Sequence, residues 1–141
     1  MAAFTDEQSK RLAEITGQPV PPAYLDWMRD YPADLASLTY AKLKDRIADH
    51  ELHDDPKKVL RVNEMVREED IWTGEDGDGP YPANHLAIGE DIGGDIVSIQ
   101  LDDAALPVFR LLTSTARLVR VADNLDGYAD QLRKKHGAKA R

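Results

Sequence analysis

His50 and His53 stand three residues apart in DHELHDD, with Asp54 and Asp55 directly behind them. Imidazole and carboxylate donors at that spacing are the raw material of a divalent-metal site and of metal-assisted hydrolysis. The surrounding stretch reads as an exposed polar connection, which gives such ligands no fixed orientation. The EDGDG run of residues 75–79 has the opening of a calcium loop, but counting from Asp76 puts Pro80 at position 5 and Ala87 at position 12, where oxygen ligands are required. Ser114 and Thr115 in LTSTARL lack a GxSxG elbow, and the only histidine after them is His136 in a basic tail. GEDIGGD has neither the lysine nor the following helix of a phosphate loop, and its acids repel phosphate. Asp91 and Asp95 are a carboxylate pair, but carboxylates are frequent enough here for chance pairs. With no cysteine, thiolate nucleophiles, disulfides and iron–sulfur or zinc–thiolate sites are excluded. The residues specify no active site, so the expectation is a protein that is not an enzyme and needs no cofactor or metal.

The elements that must position these residues fit one domain spanning residues 1–141. Hydrophobic residues at 42% supply a core, and charged residues at 31% interrupt every apolar run before it reaches the roughly 20 residues of a membrane span. MAAFTDEQSKR carries no apolar stretch behind a basic start, so a cytoplasmic location is expected. The net charge of −8 repels nucleic acid and anionic lipid. It is also unevenly spread. From Glu68 to Asp103 there are eleven acids and no Lys or Arg, whereas the tail from about 133 to 141 holds Arg133, Lys134, Lys135, Lys139 and Arg141. Setting those five cations aside leaves the body at −13. A surface of that sign suits a cationic partner.

Thr5 and Gln8 have capping-box spacing and Gly17 supplies a left-handed stop, predicting a helix over 6–16. A second helix opens at Pro22, with Tyr24, Leu25, Met28 and Tyr31 on an inward face and Trp27 beside it. Residues 33–54 carry mixed signals. Asp55 before Pro56 caps a third helix over 56–68, in which Val59, Val62 and Val66 recur at helical spacing. The turn-rich TGEDGDGPYPAN follows, and then the period changes to that of strands. HLAIG and IVSIQLD are joined by a turn at Gly93 and Gly94, with Val97, Ile99 and Leu101 facing the core; PVFRLL and RLVRVA are two further strands. Asp123 or Asn124 caps a final helix bearing Leu125, Tyr128, Ala129 and Leu132. The order predicts an α+β fold: an antiparallel meander with N-terminal helices flanking it and one helix closing the chain.

Five segments in this order resemble the SUKH superfamily, which includes the Smi/Knr-type cell-wall-assembly regulators: TGQPVPPAYLDWM, VLRVNEMVREEDIW with its Asn63, HLAIGEDIGGDIVSIQLD, PVFRL and VADNLDGYADQL. The resemblance spans most of the chain, and its central block is the most specific piece. It implies a SUKH-like α+β domain. For bacterial proteins of this kind it implies an immunity protein that binds and neutralises a polymorphic toxin, often a nuclease; for fungal ones it implies a regulatory scaffold that binds an endogenous protein. A basic nuclease surface complements an acidic inhibitor. The expected partner surface comprises Glu75, Asp76, Asp78, Asp91, Asp95, Asp102 and Asp103, with Trp72 and Tyr81 as aromatic anchors.

Overall fold

The computed structural model describes residues 3–40, 44–68 and 81–137. The helix α1 (Asp6–Thr16) forms as its caps dictate. Thr5 Oγ1 accepts from Gln8 N, the Gln8 side chain accepts from Thr5 N, and Gly17 takes φ 74° to close the last turn. Helix α2 (Pro22–Arg29) starts on its proline and stops before Tyr31. Tyr24 and Met28 are fully buried, whereas Leu25 and Tyr31 are only partly so, narrowing the expected inward face. The ambiguous stretch resolves into a short helix α3 (Ala33–Ser37) and a single 3-10 turn, Ile47–Asp49, tied together by a bridge between Thr39 and Arg46.

Helix α4 (Pro56–Glu68) lies along the first strand, with Val59 in the larger hydrophobic cluster and Val62 and Val66 in a smaller one. Four strands follow, β1 (His85–Glu90), β2 (Ile96–Gln100), β3 (Val108–Leu112) and β4 (Arg117–Ala122), hydrogen-bonded in chain order and all antiparallel. Gly94 at φ 99° makes the β1–β2 turn that the paired glycines predict. Helix α5 (Leu125–Leu132) is capped by Asn124, whose side chain accepts from Gly127 N at 2.7 Å, and continues into one wide turn, Arg133–Gly137. This is the predicted α+β arrangement of an antiparallel meander flanked by helices.

The sheet departs from expectation in being covered on both sides of β2. Val97 and Ile99 join Leu12, Tyr24 and Tyr128 in the large cluster, while Ile96 packs with Val62, Val66, Tyr81 and Leu111 in the small one. A strand buried on both faces needs a polar partner for each inward hydroxyl, and Ser98 finds one in His85 Nδ1 at 2.9 Å. The outer edge of β1 is also closed. His53 N donates to Ile88 O, Glu90 N donates to His50 O, and a Cβ on Gly89 would meet Glu51 O at 2.3 Å. Only glycine permits that approach.

Candidate protein-interaction surface

The residues proposed for metal chemistry are dispersed among separate tasks. His50 Nε2 faces Asp45, Asp54 pairs with Arg46, and Asp55 caps α4 through Lys57 N. His53 is buried against Ala48 O, and burial pulls its pKa down to about 4. Among the described residues no three His, Asp or Glu side chains are grouped to hold a metal ion.

The acidic residues expected to share one surface are split by the length of β2. Asp91 and Asp95 occupy the β1–β2 turn; Asp102 and Asp103 occupy the β2–β3 loop at the other end, roughly 16 Å away for five residues of strand. Trp72, Glu75, Asp76 and Asp78 lie outside the described residues. Tyr81 is not on the surface at all: it is 6% exposed, sits in the small cluster, and carries the Arg67 guanidinium over its ring.

Asp91 and Asp95 face Arg110, which rises from the middle of β3. Its Nη1 pairs with Asp91 and lies 3.9 Å from Asp95, while its Nη2 donates to Glu51 Oε1 at 2.9 Å and to the Tyr128 hydroxyl at 3.1 Å. Tyr40 donates to the other Glu51 oxygen at 3.2 Å, and His136 Nε2 is 3.5 Å from the same atom. Glu51 is 2% exposed. Each charge in this cluster is met by a neighbour, as burial demands, and Asp95 also accepts from Thr113 N and Oγ1. The arrangement ties β3, α5 and the 50–53 segment together. It withdraws Asp91 and Asp95 from the set of free anions, and nothing in a strand reading of PVFRLL points to it.

The opposite end of the sheet retains its charge. Asp102 accepts from the Gln100 and Asn84 side chains, which hold its carboxyl below the usual carboxylate range, and Asp103 accepts from Ala105 N. Asp126, in the first turn of α5, lies on the same end because β2 finishes and α5 begins there. None of the three has an ion pair among the described residues, whereas Arg11, Arg29, Arg46, Arg110, Arg120 and Arg133 are all engaged by carboxylates.

Beside Asp126 lies a shallow cleft of about 210 Å³. Its walls are Trp27 and Ala23 of α2, residues 104–106 of the β2–β3 loop, and residues 124–126 at the start of α5. Trp27 is half-buried and meets Tyr31 edge-on at 6.0 Å. The sequence places Trp27 beside the inward stripe of α2, and its position on the margin of that stripe is the signal that it reaches the surface. Comparison with protein-family models, curated proteins and solved structures gave no match.

Proposed function

We propose that this chain is a non-catalytic protein-binding domain of the SUKH type, acting as a cytoplasmic immunity protein that neutralises a toxin domain with a basic surface. One observation carries the reading: the arginines named above are turned onto carboxylates, while Asp102, Asp103 and Asp126, at one end of the sheet, have no ion pair among the described residues. An excess of anion on a chain of net charge −8 speeds encounter with a cationic protein and disfavours nucleic acid. No helix among the described residues is long and apolar enough to cross a membrane, in keeping with a partner met in solution. The Glu51–Arg110 cluster supports binding over turnover, because its groups are occupied by one another.

The test is affinity capture from native lysate at low salt with the wild-type chain and with Asp102→Lys/Asp103→Lys. The reading expects a basic protein retained by the wild type and lost from the variant, toxic when expressed alone and harmless when co-expressed with this chain. Capture of a non-toxic endogenous protein would make the chain a scaffold instead. Equal retention by both forms would contradict the acidic end as the binding surface.

A further inference from the structure

The cleft walled by Trp27 has a composition unlike the rest of the acidic end. Its floor is apolar, from the buried Leu106 and Leu125, and its shoulders are the small side chains Ala23, Ala104 and Ala105. Its volume of about 210 Å³ is below the roughly 300 Å³ at which small-molecule sites begin, so it is sized for one side chain. Asp126 lines the mouth and Asp103 stands next to Ala104 in the loop. Of the first-turn amides of α5, Gly127 N is already taken, donating to Asn124 Oδ1. Leu106 is held at φ 53°, which keeps this loop in one shape against the start of α5.

Resting on the protein-binding reading above, we propose that this cleft receives a single arginine side chain of the partner, its guanidinium against Trp27 and beside Asp126. An aromatic face beside carboxylates attracts a planar cation both by its quadrupole and by charge, and arginine's plane matches the ring better than an ammonium does. The alanine shoulders leave room for the aliphatic stem to pass. The apolar floor rewards burial of that stem.

The probe is the blocked peptide acetyl-Gly-Arg-Gly-amide, titrated into the isotopically labelled full chain, with its neutral citrulline counterpart as control. Trp27→Phe assigns the Trp27 indole N–H resonance against that of Trp72. A saturable shift of the Trp27 resonance is expected with the arginine peptide, absent with citrulline, and weakened about threefold by Asp126→Asn. No shift at Trp27, or an equal shift with citrulline, overturns the proposal. Ala105→Phe, which fills the cleft from an exposed position, separates this inference from the reading beneath it. Should a captured basic partner bind Ala105→Phe as well as it binds the wild type, yet fail to bind Asp102→Lys/Asp103→Lys, the arginine cleft is wrong and the acidic surface stands. Should the wild type hold no basic partner, the underlying reading falls first.

Discussion

Arg110 is the residue on which most of the buried charge depends. It meets Glu51, Asp91 and Tyr128 from one position on β3. Replacing it with Met leaves Glu51 without its cation in a site 2% exposed, and the expected cost is about 3–5 kcal/mol in urea unfolding. Arg110→Lys is expected to rescue only part of this, since a single ammonium cannot reproduce the guanidinium's fork. His53 provides a second test. Its pKa is about 4 in the fold against 6.5 for the free side chain, so between those values the unfolded chain binds the proton and the folded chain does not. Stability is therefore full above pH 6.5 and falls as the pH is lowered towards 4, by up to roughly 3 kcal/mol. His85 is shifted the same way by its burial and adds to the fall. Denaturant titrations at pH 7 and pH 4.5 check this, and His53→Gln should flatten the difference. At this scale little was legible in the sequence. Glu51 and His53 lie in a polar run that reads as solvated, and only the tertiary closure of β1's edge takes them inside.

Among the elements, α4 is fastened to the β1 backbone by the side chains of Asn63 and of Arg67, which donates to His85 O. Asn63 is fully buried, donates to Val59 O and Ala87 O, and accepts from Ala87 N and from Arg67 Nη1. Ala87 sits at the irregularity in the β1–β2 register, where its amide and carbonyl turn away from the ladder. Asn63→Leu keeps the helix but strands both groups, for an expected loss of about 2–4 kcal/mol in chemical denaturation. Gly89→Ala is expected to destabilise as well, because its Cβ would overlap the Glu51 carbonyl, and loss of amide-exchange protection in β1 and residues 50–53 would report it. The elements themselves were largely legible: α1, α4, the glycine turn and the four strands carry their caps and periodicities in plain order. The 33–54 stretch was not, because its helices are too short for periodicity and its position is set by Arg46, which reaches Ala36 O, Asp49 and Asp54. Asp49 responds with a carboxyl held down at about 2 by Arg46 and Lys58. The coverage of β2's second face was equally hidden, since Ile96 and Ser98 alternate with Val97 and Ile99 like the solvent side of a strand.

For the whole molecule, composition gave the sign of the charge but not its layout. The fold gathers Glu51, Asp91 and Asp95 around Arg110 at one end of the sheet and leaves Asp102, Asp103 and Asp126 without an ion pair among the described residues at the other. That division makes a contrast between variants. Asp91→Lys sets a cation against Arg110 and is expected to lower the melting temperature, whereas Asp102→Lys changes an exposed group and is expected to leave it unmoved. The most direct measurement is the association rate of the captured partner with the wild type and with Asp102→Lys/Asp103→Lys, followed from low to physiological salt. The account predicts a rate that is about tenfold or more faster for the wild type at low salt, with the gap closing as salt rises. Equal rates for the two folded proteins at every salt concentration would contradict it.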